Sequence, residues 1–206
     1  HKVQKNKGSA GVDRLPVDDL SELLSIDQEN LIDIVLSGKY LPKAILGIEI
    51  PKDNGGIRLL GIPTATDRLL QQAVLQVINA RFEFKFSDNS FGFRPGKSLH
   101  QAVLKSQSYI NNGFKHIVDI DLKAFFDEVD HSLLLQLLHR KIKCKETMRL
   151  IRKWLRAPIL IDGKLVKRRK GVPQGSPISP LLSNIMLHEL DMFLDCLLYT
   201  SDAADE

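Results

Sequence analysis

The stretch that decides the fold and the chemistry of this chain is Val118-Asp119-Ile120-Asp121-Leu122-Lys123-Ala124-Phe125-Phe126-Asp127. Its first five residues alternate apolar and acidic side chains, which predicts a β-strand over 117–122 with both carboxylates on one face. Two acids on one strand face are costly unless a cation lies on them, and a divalent metal would serve. On spacing alone, solvated acids at a strand end and a helix N-cap at Asp127 are the more frequent explanation.

Further blocks surround this stretch in a fixed order, and together they decide its interpretation. They are Lys7-Gly8-Ser9-Ala10-Gly11-Val12-Asp13, Arg58-Leu59-Leu60-Gly61-Ile62-Pro63-Thr64, Asp67-Arg68-Leu69-Leu70-Gln71-Gln72-Ala73, Ser90-Phe91-Gly92-Phe93-Arg94-Pro95-Gly96-Lys97-Ser98 and Lys170-Gly171-Val172-Pro173-Gln174-Gly175-Ser176-Pro177-Ile178-Ser179-Pro180-Leu181. In this order they resemble the N-terminal extension and early blocks of group II intron-encoded reverse transcriptases. The resemblance runs from about residue 5 to about residue 194.

Helices and strands are mixed without regular βαβ alternation, so we predict an α+β fold. The turn Asp53-Asn54-Gly55-Gly56 between apolar runs predicts one β-hairpin, and Asp162-Gly163 predicts a second. Apolar spacing and capping residues predict helices over 18–24, 28–37, 131–140 and 146–155, one that Ser98 caps and that runs to about 111, and one from Pro180 to Leu194. The side chains expected to face inward are Leu133, Leu134, Leu137 and Leu138 in the fourth of these segments along the chain, and Met148, Ile151, Trp154 and Leu155 in the fifth. The resemblance implies a right-hand polymerase with fingers and an incomplete palm. It assigns 1–115 to the fingers with an N-terminal extension, 116–157 to the first part of the palm, 158–174 to a return to the fingers, and 175–195 to a palm helix.

The C-terminal stretch departs from the family pattern. A later hairpin, usually Tyr-Ala-Asp-Asp, carries further carboxylates in such enzymes, and the sequence contains no such tetrapeptide. Residues 196–206 instead resemble translated read-through of a sequencing adapter, so we expect an artefactual tail; an ordinary polar tail is the alternative. We therefore expect a fragment of a longer protein that is catalytically inactive alone.

Composition limits the functional classes. The chain has 206 residues, 43% of them hydrophobic, and a net charge of +4, which favours a phosphate-rich partner. No apolar run is long enough to span a bilayer, and no secretory signal is visible. With Cys196 in the suspect tail, Cys144 has no partner for a disulfide or zinc site, so we expect a cytoplasmic protein that binds no membrane.

The resemblance implies phosphoryl transfer, in which a 3′ hydroxyl attacks the α-phosphate and metal ions stabilise both oxygens. Asp121 matches the first metal-ligating, catalytic aspartate, and the backbone carbonyl of Leu122 matches the second contact to Mg²⁺. Asp119 remains a competitor because it shares the predicted strand face with Asp121.

The same resemblance assigns the nucleotide-binding residues. Lys52 and Arg58 match the triphosphate-contacting pair, with arginine acting as a fork and lysine as a point charge. Phe126 matches the ring that excludes a ribose 2′ hydroxyl, while Gln174 and Gly175 match the block beside the incoming nucleotide. Without the resemblance, these residues would be taken as surface cations, a core aromatic and a simple turn.

Three cations are predicted to contact nucleic acid. Lys5 and Lys7 would close over the template as a lid, and Arg94 would contact a template strand that stacks on the neighbouring aromatics. A structural role for the Arg94 loop, bracing fingers on palm, is an equal alternative. The implied partners are an intron RNA template, a DNA primer and deoxynucleoside triphosphates, and the parent would also act as a maturase.

Three other functions stay open at this point. One is an RNA-binding, maturase-type module without polymerase activity. The second is a related bacterial reverse transcriptase used in phage defence or adaptive immunity. The third is an unrelated metal-dependent nuclease built on Asp119, Asp121 and Asp127, which would leave the proline-glutamine-glycine block unexplained.

Overall fold

The computed structural model describes residues 2–52 and 55–202, with side chains up to residue 197. Asp53 and Asn54, in the first predicted turn, lie outside the described residues, as do residues 203–206. Helices and strands are mixed, which confirms the predicted α+β class. The elements are α1 (Lys2–Lys5), α2 (Leu20–Leu36), β1 (Ile45–Pro51), β2 (Ile57–Ile62), α3 (Ala65–Phe82), a 3₁₀ turn (Glu83–Lys85), α4 (Leu99–Asn111), α5 (Phe125–Glu128), α6 (His131–Lys141), α7 (Lys145–Arg156), β3 (Ile159–Ile161), β4 (Lys164–Val166) and α8 (Ser179–Asp202).

The four strands found within residues 2–52 and 55–202 form one sheet in the order β2-β1-β3-β4. β1 and β2 are the antiparallel arms of the first predicted hairpin, with Pro51 opposite Ile57. β3 runs parallel to β1 and turns back into β4 through Asp162 and Gly163, whose φ angles of 48° and 75° suit an Asp-Gly hairpin turn. Both predicted hairpins therefore join one sheet; the division into fingers and palm stays a prediction.

The main core lies between α3, α6, α7 and α8. The apolar stripe predicted for α7 is buried, with Ile151 and Trp154 at its centre. In α6, Leu134 and Leu138 are fully buried, but Leu133, which we expected to face inward, is 45% exposed. Leu133 lies in the first turn of α6, where its backbone N–H donates to Oδ1 of Asp130.

Most predicted helix boundaries agree with the structure. Ser98 caps α4 by accepting a hydrogen bond from the backbone N–H of Gln101. The two helices predicted within residues 18–37 form one helix, α2, with a kink at Asp27. The cap predicted at Asp127 is wrong, because α5 begins after Ala124. α8 continues past Leu194, its predicted end, to Asp202.

The acidic strand predicted over residues 117–122 is also wrong. These residues form no regular element, and Ile117, Val118 and Ile120 are 79%, 82% and 60% exposed. A β-strand needs a neighbour for its backbone hydrogen bonds, and within the described residues no strand pairs with this segment. Alternation alone is therefore not enough to form the strand.

Candidate active site

The loop 171–175, which contains the proline-glutamine-glycine block, is tied to both sides of the site by backbone hydrogen bonds. The N–H of Val172 donates to the carbonyl of Phe126 at 2.7 Å, and the N–H of Gly171 donates to Val129 at 2.7 Å. On the other side, the N–H of Gly61 in β2 donates to the carbonyl of Gln174 at 2.7 Å. The loop therefore fixes the first hairpin relative to α5.

Glycine is required at both ends of this loop. Gly171 has a φ of 82°, and a Cβ there would lie 2.8 Å from the backbone oxygen of Asp127. Gly175 has a φ of 113°, and its Cβ would lie 2.6 Å from the backbone oxygen of Gly61. Both angles lie in the region that side chains disfavour, and both contacts are with backbone atoms that cannot rotate away. The glycines thus permit the close approach of loop, hairpin and α5.

A cavity of about 540 Å³ lies at the centre of this arrangement. It brings together four of the residues predicted for the site: Asp121, Leu122, Phe126 and Gln174. Its remaining wall is apolar and includes residues of α8. The full lining is Ile120, Asp121, Leu122, Ala124, Phe125, Phe126, Gln174, Leu187, Leu190 and Leu194.

The cavity distinguishes the two competing aspartates, because Asp121 lines it and Asp119 does not. The donor set suits a metal only in part. Among the described residues, no three His, Cys, Asp or Glu side chains come together as metal ligands. Mg²⁺ commonly takes one or two carboxylates and completes its shell with water and substrate phosphates. The Asp121 carboxylate and Leu122 carbonyl therefore fit a metal that is shared with a phosphate substrate.

The first hairpin reaches the cavity through Arg58. Its Nε donates a hydrogen bond of 2.6 Å to Oε1 of Gln174. Lys52 is exposed at the end of β1, where its backbone N–H donates to the carbonyl of Gly56 at 2.7 Å. Lys52 does not line the cavity. Of the two predicted triphosphate ligands, Arg58 is thus connected to the site and Lys52 stands on the same hairpin.

Phe126 is half-buried at the cavity wall. It packs edge-to-face on Phe125, with ring centroids 6.0 Å apart and an interplanar angle of 82°. The preceding Ala124 has a left-handed backbone with a φ of 52°, which starts α5 directly after the acidic stretch. The ring is therefore held by its neighbour and by the carbonyl contact to Val172.

This arrangement agrees with comparisons to known proteins. The family of reverse transcriptases (RNA-dependent DNA polymerases) matches residues 50–198. The chain belongs to this family. It is 37% identical over 194 residues to Protein YkfC of Escherichia coli (strain K12), covering 92% of this chain and 51% of YkfC. It is 39% identical over 194 residues to the group II intron-encoded protein LtrA of Lactococcus lactis subsp. cremoris, covering 93% of this chain and 32% of LtrA.

Among solved structures, a chain of a partial Cas6-RT-Cas1--Cas2 complex matches with a TM-score of 0.58 and 26% identity, over 94% of this chain and 33% of that chain. These relatives confirm the predicted resemblance to group II intron reverse transcriptases. Members of the family act on nucleic acid and use divalent metal ions. The chain spans about half the length of YkfC and about a third of that of LtrA. None of its described helices combines the length and apolarity that a membrane crossing requires.

The half-buried Arg168 and the buried His131 both contact the loop 171–175 at the carbonyl of Gly171, and sequence reasoning missed both. Arg168 donates from Nη2 to the carbonyl of Leu155 at 2.7 Å, and burial lowers its pKa to about 10. His131 lies 2.8 Å through Nε2 from the carbonyl of Gly171, which can only accept, so Nε2 carries the proton. Burial also lowers the pKa of His131. In the sequence, Arg168 is one cation in a basic run and gives no sign of burial.

A second buried network, also missed, fixes the start of α3. Oδ1 of Asp67 accepts hydrogen bonds from the hydroxyl of Tyr40 at 2.8 Å and from Nε1 of Trp154 at 3.1 Å. Oδ2 accepts from the hydroxyl of Thr64 at 2.9 Å and from the N–H of Lys43 at 3.3 Å. Burial raises the pKa of Asp67, against the opposing effect of these donors. The network joins the helices behind the site to the segment that leads into β1.

The N-terminal extension packs on the same helix. Val3 of α1 is buried against Ala65 of α3, and Arg68 donates from Nη2 to the carbonyl of Ser9 at 2.7 Å. Lys5 and Lys7, predicted to form a lid over the template, are exposed beyond this anchor.

Arg94, predicted to contact nucleic acid, is occupied within the protein. Its side chain is 5% exposed and pairs through Nε with Oε1 of Glu83 at 2.9 Å. Its Nη1 donates to the carbonyls of Ser87 and Ser90 at 2.5 and 2.8 Å, and the guanidinium stacks over Phe86. This geometry favours the bracing alternative, because little of the guanidinium is left for a phosphate.

Proposed function

We propose that this chain is the nucleotide-binding half of an RNA-directed DNA polymerase encoded by a group II intron, with Mg²⁺ as its metal. The observation that carries the proposal is the cavity that unites Asp121, Leu122, Phe126 and Gln174, with Arg58 hydrogen-bonded to Gln174. Family membership and the similarity to LtrA support it.

Each residue has a distinct role in this proposal. When bound, Mg²⁺ supplies charge neutralisation at the phosphates, and Asp121 with the Leu122 carbonyl would hold it. Arg58 exchanges its bond to Gln174 for triphosphate oxygens, which a guanidinium fork matches well. Lys52 adds a second positive charge from the same hairpin.

Phe126 and the loop 171–175 then orient the sugar. The half-buried Phe126 ring would clash with a ribose 2′ hydroxyl and would so favour deoxynucleotides. Gln174, released from Arg58, donates and accepts hydrogen bonds at the sugar or triphosphate. Gly175 does not line the cavity; because it has no Cβ, the loop can lie close to β2, which keeps Gln174 beside the nucleotide.

In this proposal the longer protein supplies the remaining carboxylates and binds the template and the primer. An intron RNA template, a DNA primer and a maturase role belong to this proposal, since the chain spans only part of its relatives. Lys5 and Lys7 would close over the template. Within the described residues Asp121 is the only carboxylate that lines the cavity, so the 206-residue chain by itself should not extend a primer.

The test measures binding of a fluorescent deoxynucleoside triphosphate, mant-dATP, to the 206-residue chain during a Mg²⁺ titration. Asp121→Asn should weaken Mg²⁺-dependent binding at least about tenfold, equivalent to about 1.4 kcal/mol. Asp119→Asn is the matched control on the same exposed segment and should stay within about twofold. Equal effects of the two substitutions would contradict the assignment of Asp121. Primer extension by the 206-residue chain would contradict its predicted inactivity.

The alternatives make different predictions. A maturase-type module without polymerase activity would bind RNA in a salt-dependent manner and would not bind mant-dATP. The similarity to a chain of a Cas6-RT-Cas1--Cas2 complex is compatible with the second alternative, a related bacterial reverse transcriptase used in phage defence or adaptive immunity. The sequence neighbouring the gene would separate these origins, since intron RNA boundaries and defence genes do not resemble each other.

A further inference from the structure

Phe93 combines two unfavourable features, a left-handed backbone and an exposed aromatic side chain. Its φ is 54°, in the left-handed region that bulky residues rarely adopt, and its side chain is 75% exposed. An exposed aromatic ring gains little from packing, so the side chain of Phe93 does not itself compensate for the backbone strain. Such an outlier is a reason to look for a function.

The strain is imposed by anchors on both sides of Phe93. On one side, the carbonyl of Gly92 accepts a hydrogen bond of 2.9 Å from the amide of Asn184 in α8. On the other, Arg94 is buried and bonded to Glu83, Ser87 and Ser90. Because both neighbours are fixed, the backbone between them must turn outward. The loop therefore presents the Phe93 ring to solvent in a defined position.

The ring stands at a groove of about 480 Å³, within the range of about 300–1,000 Å³ that ligand pockets occupy. One wall is a polar stripe of α3, formed by the amides of Gln72, Gln76 and Asn79 at helical spacing. Lys2 of α1 adds a positive charge, and the floor is apolar, with Pro177 and Leu181 among its residues. These groups match the parts of a single-stranded nucleic acid: an exposed ring stacks on a base, a cation contacts a phosphate, and amides hydrogen-bond to base edges.

We propose that Phe93 is a stacking platform for one base of a single-stranded RNA that runs through the groove between α1, α3 and the loop 91–96. This inference rests on the proposed function in requiring an RNA partner, and it identifies a contact that the active-site cavity does not contain. It also separates the roles that the sequence left open within the loop: Arg94 is the internal brace, and Phe93 is the aromatic residue that contacts RNA. Lys2 supplies the phosphate contact, and the amides of α3 hydrogen-bond to base edges.

The chain offers a matched control. Phe84 is 74% exposed, close to the value for Phe93, but it lies in the 3₁₀ turn and does not line the groove. Each phenylalanine can be replaced by leucine, which keeps an apolar side chain but removes the π-face. A second variant, Phe93→Gly, relieves the left-handed strain and so should not lower the unfolding temperature.

The experiment measures binding of a labelled, unstructured RNA oligonucleotide of ten nucleotides to the 206-residue chain, without nucleotide triphosphate. Phe93→Leu and Phe93→Gly should each weaken binding at least about fivefold, while Phe84→Leu should stay within about twofold. Equal losses at both positions, or no loss at Phe93, would overturn the proposal. A chain that binds no RNA would overturn it as well, whereas failure to bind mant-dATP would count against the active-site proposal alone.

A fluorescence measurement distinguishes stacking from mere proximity. Trp154, the only tryptophan in the sequence, is 4% exposed and shielded from ligands. Phe93→Trp should retain RNA affinity, and its added fluorescence should be quenched when a base stacks on the ring. Phe84→Trp should not be quenched. If Phe93→Trp binds RNA without a change in emission, the ring does not stack on a base; quenching by a protein partner but not by RNA would also refute the RNA assignment.

Discussion

Replacing Gly175 by alanine tests whether the close approach of loop 171–175 to β2 builds the site. With a φ of 113°, the position is strained for any L-residue, and the new Cβ would lie 2.6 Å from the backbone oxygen of Gly61 and 3.1 Å from Cδ1 of Leu60. The leucine methyl can rotate away, but the carbonyl oxygen belongs to a paired strand. The loop must therefore move away from β2.

The magnitude follows from two contributions. The backbone strain costs about 1–3 kcal/mol, and displacement of the loop sacrifices the hydrogen bond from Gly61 to Gln174, worth about 0.5–1.5 kcal/mol. Together we expect a loss of about 2–4 kcal/mol in the free energy of unfolding, or about 5–15 °C in Tm for a chain of this size.

The assay is equilibrium unfolding in urea, with Gly163→Ala as the matched control. Gly163 also has a positive φ, 75°, but its Cβ would meet no atom within 4 Å. It should therefore cost only the strain of a left-handed residue, about 1–2 kcal/mol. If Gly175→Ala is no more destabilising than Gly163→Ala, the contact with β2 does not constrain the loop.

A second measurement connects this stability effect to the site. Because the loop carries Gln174 into the cavity, its displacement should also weaken Mg²⁺-dependent binding of mant-dATP, whereas Gly163→Ala should not. A destabilised Gly175→Ala chain with unchanged nucleotide affinity would separate the loop from nucleotide binding and refute that part of the reasoning.

Three further predictions concern the buried polar groups behind the site. Burial lowers the pKa of His131 below 6.5; Arg168 and Arg156 add to this effect, and nearby Asp130 opposes it. In the pH window between the lowered pKa and 6.5, the unfolded chain therefore binds more protons than the folded chain. Stability should be complete above about pH 6.5 and fall as the pH drops through the window, and urea unfolding of His131→Gln should show a flatter profile. Arg168→Met should cost about 1–3 kcal/mol in thermal unfolding, because the carbonyl of Leu155 loses its donor; an unchanged Tm would contradict this. Asp67→Asn should cost about 2–4 kcal/mol, since one carboxylate oxygen becomes an amide donor facing other donors, and Asp33→Asn on α2 is the exposed control.

The sequence predicts the parts of the fold that depend on local chemistry. Turn residues locate both hairpins, Ser98 locates the start of α4, and apolar spacing locates α6 and α7. These features depend on residues close together in the chain, so a single sequence contains their cause. The acidic strand fails for the opposite reason. Its pattern is strong, but a strand exists only when another segment accepts its hydrogen bonds, and pairing is not a local property.

The candidate site was also predictable only in part from the sequence. Motif resemblance identified Asp121, Phe126 and Gln174, and the structure brings them to one cavity although some fifty residues separate them. Resemblance to a motif does not reveal which of its residues face inward. Arg94 and Phe93 are neighbours in one block, and the sequence alone left two roles open for it: contact with a template strand through the cation and the aromatics, or internal bracing.

The burial of Arg94 and the exposure of Phe93 have a physical cause that a sequence motif does not show. A guanidinium can satisfy several backbone carbonyls at once, so a loop without regular structure uses it to fix its own shape, as Arg94 does at Ser87 and Ser90. Once the cation is buried, the side chain beside it is turned to the surface. The same reasoning applies to the half-buried Arg168, which donates to the carbonyls of Leu155 and Gly171. In both places an arginine fixes irregular backbone by donating to main-chain carbonyls, a role that depends on the folded chain and that the sequence motif does not reveal.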